Sequence, residues 1–400
     1  MKTLALSFRY LWSRPLAALL NLLLLTLGLA SITFVLLASE QLDRAFERDL
    51  AGIDLVVGAK GSPMQLILAG VFHIDVPPGN IPLAQVRQLA QHPQVAQVIP
   101  LSLGDSFRGF RIVGTSPDYL AHYRLQLADG RAWQAPLEAV VGAHVAQDTG
   151  LRPGHAFAGS HGIAGGGAGH GEHPYRVTGV LAPCGCVADR LVLTSIESVW
   201  EVHEHRQEQH DGQAQEDDAR REVTMALVRY RTPLAAASLP RWVNTTTGMQ
   251  AAAPAVEVSR LLRMVGVGAD VLRGFGAVLL ATAALGVFIA LWNAVRERRA
   301  DLAMLRMLGA RPAKVAALLL CEAWWLALLA SALGLAAGHA LAGIVGAMLQ
   351  AQRSLPVTGG LWLAQELWIP AAALTVATLA ALIPAASAYR VDVAELLNAR

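Results

Sequence analysis

RERRADLAMLRMLGARP occupies residues 296–312 and is a basic, amphipathic stretch lodged between two long apolar runs. Leu302, Leu305 and Leu308 recur at three-residue spacing, with Met304 and Met307 beside them. Arg298, Arg299 and Arg306 leave a charged side, and Gly309 with Pro312 ends the pattern, so the stretch reads as a short helix with one apolar ridge. Such a helix rests in a lipid interface or plugs into a groove on a partner protein, and composition alone does not choose.

The runs on either side place it at a membrane. The chain has 400 residues, 54% of them hydrophobic and 16% charged, which is too apolar and too charge-poor for a soluble protein of this size. Crossing a bilayer core of about 30 Å takes about 20 apolar residues. Four stretches come close: Leu16 to Ala38, Phe275 to Trp292, Ala316 to about Gly338 with an apolar continuation toward Leu349, and Leu367 to Ala388. The first follows a short positive segment but is longer than the apolar core of a secretion signal, and it reads as retained.

Lys2, Arg9 and Arg14 precede the first span, and Arg296, Arg298, Arg299, Arg306, Arg311 and Lys314 lie between the second and third. The positive-inside rule puts both segments, and with four spans both termini, in the cytoplasm. The expected order is a cytoplasmic segment and first span (1–39), an extracytoplasmic domain (40–264), the second span (265–295), a cytoplasmic helix (296–314), the third span (315–350), a short external loop (351–366), the fourth span (367–388) and a cytoplasmic tail (389–400). The net charge is +2 and many basic residues sit at span ends, so orientation accounts for them and no nucleic-acid partner is implied.

The outward domain is expected to be α/β. IDLVVGAK (53–60), QVAQVIPLSL (94–103) and FRGFRIVGT (107–115) read as strands and IPLAQVRQLAQH (81–92) as a helix. A second, β-rich group follows in EAVVGAHVAQDTGLRPGHAF (138–157), YRVTGVLAP (175–183), RLVLTSIESVW (190–200) and TMALVRYR (224–231). GAKGSP (58–63) superficially resembles a phosphate loop. That pattern needs Lys after Gly, whereas Lys2, Lys60 and Lys314 follow Met1, Ala59 and Ala313, so the chain supplies no such ATP site.

Seven of the twelve histidines fall between His155 and His210. Imidazoles on a Gly-rich tract can wrap a transition metal, zinc foremost, and His161, His170, His173, His203 and His205 are the candidate ligands. The alternative is a solvated loop, because no fixed four-ligand spacing is present. Cys184 and Cys186 form a PCGC turn whose thiols pair or add soft ligands, and spacing favours neither. Within the third apolar run, Glu322 and His339 are ionisable groups of the kind that face protein or water. No nucleophile, acid–base pair or other catalytic signature stands out, so the chain does not read as an enzyme.

NAVRERRADLAMLRMLGARPAKV (293–315) resembles the ERR-x-E-x-A-hydrophobic-L-R-x-x-G-A motif after the second span of the MacB, LolC/LolE and FtsX type of ABC-transporter permeases. LLLCEAWWLALLASALGLAAG (318–338) is similar to that family's Glu-bearing third span, and SAYRVDVAELLNAR (387–400) to its terminal motif, with Val393 where proline is frequent. PCGCVADR (183–190) stands where relatives read like P-T-G-T-P-x-D-R, cysteines replacing small polar residues. The resemblance covers essentially the whole chain. It implies a permease subunit of the bacterial inner membrane, with Arg296, Arg298, Arg299, Leu302, Leu305 and Arg306 docking on a separate ATP-binding subunit that holds the ATP. It also implies a permease dimer, a periplasmic or lipoprotein partner, and cargo ranging from lipoproteins and peptides to antibiotics and haem. The other readings are an FtsX-like regulator of a cell-wall enzyme and a component of zinc homeostasis.

Overall fold

The computed structural model describes residues 2–12, 15–162, 173–202, 221–297, 311–351 and 357–389. The chain divides into two compact units, residues 1–42 with 265–400, and residues 43–264. Among the described residues, four helices are long and apolar enough to cross a membrane: Ala18–Leu50, Pro254–Asn293, Pro312–Leu349 and Ala364–Tyr389. The domain of 43–264 lies between the first two of these in sequence.

The core of the first unit mixes many alanines with large apolar residues such as Leu25, Leu29, Leu291 and Leu326, while other large apolar residues stay exposed. Ala283, Ala323, Ala327, Ala330, Ala373, Ala377 and Ala381 are buried, while Leu16, Leu19, Leu20, Leu23 and Leu27 line one exposed ridge of the first long helix. In lipid no hydrophobic force drives helices together, so close van der Waals approach of small residues must do it. Gly334 and Gly338 make the approach possible. A Cβ on Gly334 would stand 2.7 Å from Leu29 Cβ, and one on Gly338 would stand 2.5 Å from Thr33 Cβ and 3.0 Å from the Ala30 carbonyl. Thr33 and Ser331, buried here, satisfy their hydroxyls on the carbonyls of Leu29 and Ala327 four residues back.

The long third apolar run forms one helix, Pro312–Ala351, and the chain then returns along its end. A Cβ on Gly346 would lie 2.0 Å from the Val357 carbonyl, and one on Gly359 would lie 2.2 Å from the His339 carbonyl. The Gln41 side chain ties this returning segment to the end of the first long helix, accepting from Thr358 N–H at 2.7 Å and donating to Thr358 O at 2.9 Å.

The second unit is a mixed sheet. Its main path runs Met249–Ala252, Leu55–Ala59, Met225–Tyr230, Val95–Phe107, Phe110–Thr115, Leu191–Ser195, Glu138–Val141, Tyr175–Leu181 and Leu127–Gly130. Two neighbouring pairs are parallel, Phe110–Thr115 with Leu191–Ser195 and Glu138–Val141 with Tyr175–Leu181. The others on the path are antiparallel. One core gathers Leu55, Val57, Val86, Leu89, Ala226, Leu239 and Val243 under the helices Leu83–Ala90 and Ala235–Thr246. The other gathers Phe110, Ile112, Val141, Val145, Phe157, Tyr175 and Val192 beside the helix Ala143–Thr149. The two groups of strands expected from the sequence thus share one sheet, and each core draws on both groups, Ala226 joining Leu55 and Val57 in one and Phe110 joining Val141 and Val192 in the other. The stretch 138–157 departs from its β-rich reading. It forms strand, helix and strand, the helix closing at Gly150 with φ +73°, a left-handed end that glycine adopts without strain. GAKGSP is a turn between the strand Leu55–Ala59 and the helix Pro63–Gly70.

Candidate functional site

Of the expected docking residues, Arg296 is exposed at the end of the helix Pro254–Glu297. Arg311 and Lys314 are exposed where the next long helix begins. Arg298, Arg299, Leu302, Leu305 and Arg306 lie outside the described residues.

Of the metal candidates, His161, His173, Cys184 and Cys186 fall among the described residues. His161 sits on the short strand Ser160–His161, which pairs with Asp105 and Ser106, and its Nδ1 is 3.0 Å from Asp105 Oδ1. His173 precedes the strand Tyr175–Leu181, whereas His170, His203 and His205 are outside the described residues. Among the described residues no three His, Cys, Asp or Glu side chains gather as a metal site. Cys184 and Cys186 are joined to each other in a disulfide with a Cα separation of 5.1 Å. In that state neither offers a thiolate to a metal.

The disulfide occupies a tightly held turn. Gly185, between the two cysteines, has φ +64°. Asp189, in the following single turn Val187–Arg190, accepts the N–H groups of Cys184 at 2.9 Å and Gly185 at 2.7 Å. The Asp49 carboxylate accepts Val187 N–H at 3.0 Å, and the Asp49 carbonyl accepts the Tyr123 hydroxyl at 3.0 Å. Burial holds the Arg190 guanidinium below its ordinary range, with Asp49 and Asp189 acting in the opposite direction. On the strand paired with Leu191–Ser195, Arg111 is buried and donates to the carbonyls of Ala69 and Asp75, and burial brings it down to about 10.

Sequence reading singles out His339 but not its partner. His339 Nε2 lies 3.0 Å from Glu366 Oε2, Nδ1 lies 2.8 Å from the Gly359 carbonyl, and the Trp362 ring packs at a tilt with its centroid 4.1 Å away. A carbonyl only accepts, so Nδ1 carries a hydrogen, and the contact with Glu366 needs one further proton shared between imidazole and carboxylate. Glu366 also accepts Leu363 N–H at 3.0 Å, and both ionisable side chains are buried. The signal available in the sequence was a carboxylate one residue before an apolar run, 27 residues from the histidine. Glu322 is buried as well, consistent with a place among packed helices rather than in lipid.

Two family models match the chain. The MacB-like periplasmic core domain matches residues 18–245, and the FtsX-like permease C-terminal matches residues 273–393. Among solved structures, the chain is similar to the periplasmic region of MacB from Actinobacillus actinomycetemcomitans. That likeness has 12% identity and a TM-score of 0.34, and covers 53% of this chain and 95% of the other. It is also similar to the extracellular domain of the noncanonic ABC-type transporter YknZ from Gram-positive bacteria. Here the identity is 14% and the TM-score 0.30, with 50% of this chain and 98% of the other covered. No curated protein matches the chain.

Proposed function

The chain belongs to the MacB/FtsX-type ABC-transporter permeases, and from that premise we propose that it couples ATP hydrolysis by a separate ATP-binding subunit to movement of its inserted domain. The observation that carries this reading is the pair of unbroken helices, Pro15–Leu50 and Pro254–Glu297, of 36 and 44 residues, that enter and leave the domain. At about 1.5 Å per residue they run to roughly 54 and 66 Å, against a bilayer core of about 30 Å. In this reading, displacement within the bilayer is carried along these helices to the domain. The work done outside is export of a cargo or mechanical actuation of a partner, without a continuous channel.

In this reading the domain 40–264 is outside the inner membrane and both termini are cytoplasmic. The permease is a dimer because its ATPase partner is dimeric, and Arg296, Arg298, Arg299, Leu302, Leu305 and Arg306 form the docking surface. ATP belongs to the partner, since no lysine here follows glycine as a phosphate loop requires. Leu305→Asp places a charge on the apolar ridge and is expected to abolish co-purification with the ATPase while leaving membrane insertion intact. Co-purification at the unsubstituted level would remove the docking assignment. Zinc binding by the His155–His210 segment remains a separate proposal, resting on histidine density, and calorimetry with zinc on the full chain tests it.

A further inference from the structure

We propose that the Cys184–Cys186 pair is a reversible thiol–disulfide exchange site, serviced by a dithiol of the compartment that the domain faces. Three observations carry it.

The first is that the bond closes a loop of one intervening residue, and the turn is held without it. Loop-closure stabilisation is smallest for the shortest loops. The turn is fixed by Asp189, which takes the N–H of Cys184 and Gly185, by Asp49, which takes that of Val187, and by the Asp189 N–H, which donates to the Cys186 carbonyl at 3.1 Å. Reduction therefore leaves a preorganised dithiol and not an unfolded loop.

The second is that the two sulfurs differ in access. Cys186 is 8% exposed, Cys184 is half-buried, and Gly185 between them is exposed. An incoming thiolate reaches Cys184 and not Cys186, the division of labour that exchange requires.

The third is the set of polar groups around the accessible sulfur. Cys184 Sγ receives the Cys186 N–H at 3.1 Å, and the Arg48 guanidinium lies over the turn, its Nη1 3.2 Å from where a Cβ on Gly185 would stand. The N–H favours negative charge on that sulfur, and Arg48 brings a positive charge to the turn that offsets the opposing Asp189 carboxylate. Asp189 Oδ1 is 3.3 Å from the same sulfur, placed to accept the S–H of the reduced thiol.

The exchange balances as follows. The thiolate of an incoming dithiol attacks Cys184 Sγ, a new S–S bond forms, the Cys184–Cys186 bond breaks, and Cys186 leaves with the electron pair and takes a proton from water. The second thiolate of the dithiol then attacks its own sulfur in the mixed disulfide. Cys184 is expelled, gains a proton, and donates it to Asp189 Oδ1 in a hydrogen bond. The dithiol ends as a disulfide, and two electrons and two protons reside on the pair.

The test uses the full chain in detergent, with alkylated cysteines identified by peptide mass. Dithiothreitol at about 1 mM is expected to expose both thiols of the native protein within minutes, with its thermal melt still cooperative. In single-cysteine variants built on Cys321→Ser, because Cys321 is a third and free cysteine, Cys184, retained in Cys186→Ser, should react with an aromatic disulfide reagent about tenfold faster than Cys186, retained in Cys184→Ser. Adding Arg48→Gln to Cys186→Ser should slow that reaction about threefold. Thiols that appear only on denaturation, or equal rates in the two single-cysteine variants, would overturn the proposal.

Discussion

Gly338 shows how much a single side chain decides inside the membrane unit. Its missing Cβ is the space that Thr33 and the Ala30 carbonyl occupy. Gly338→Leu is expected to cost about 1–3 kcal/mol by overpacking, lowering the melting temperature in detergent, whereas Gly360→Ala, with nothing near its Cβ position, should leave it unchanged. Equal melts for the two variants would mean that the helices do not meet there. His73 is the matching case in the domain. It is buried, adopts φ +56°, and is held well below its ordinary range first by burial and then by Arg111 and Arg190. Its folded form is neutral, and the unfolded chain takes up a proton near pH 6.5. Stability is therefore fully present above about pH 6.5 and is lost as pH falls below it, by at most about 1.4 kcal/mol per pH unit for this one group. His73→Asn, with a residue that tolerates left-handed backbone, should flatten the fall in melting temperature between about pH 6.5 and 5.5. His122, lowered by burial and by Arg229, retains a slope of the same sign. Identical pH profiles for variant and parent would exclude His73 as a contributor.

At the scale of elements, the His339–Glu366 contact fastens the helix Pro312–Ala351 to the single turn Ala364–Leu367 that leads into the last span. Removing one partner strands the other in a buried place, while removing both relieves that penalty. His339→Leu and Glu366→Leu are each expected to destabilise, and the double variant to lose less than their sum, with a coupling of about 1–3 kcal/mol. Additive losses would leave the pair without energetic standing. The strands Leu55–Ala59, Phe110–Thr115 and Tyr175–Leu181 were legible from β-branched runs. The helix Ala143–Thr149 was not, because its apolar residues are few and its burial comes from the sheet beneath it.

For the whole molecule, the arginine distribution predicts the side on which the segments between spans lie. Single cysteines at Gln213 and Asn398, in a chain whose other cysteines are replaced, should label from outside at Gln213 alone. External labelling of Asn398, or none at Gln213 in folded protein, would reverse the orientation. Residues 43–264 contain two apolar cores of their own, so this segment expressed alone is expected to unfold cooperatively, as followed by circular dichroism. A non-cooperative melt would show that it depends on the membrane unit.

The sequence by itself determined the four apolar spans, the place of the large domain between the first two, and the motif residues that led to the family. These are properties of local composition, where the period and length of an apolar run suffice. Only the tertiary structure decided that the domain's two groups of strands form one sheet, that His339 meets Glu366, and that Cys184 and Cys186 pair within a turn held by Asp189 and Asp49. Each of these depends on groups brought together across tens or hundreds of residues, or on a backbone angle at Gly185. Such placements are set by packing and hydrogen-bond satisfaction in three dimensions, which spacing along the chain does not encode.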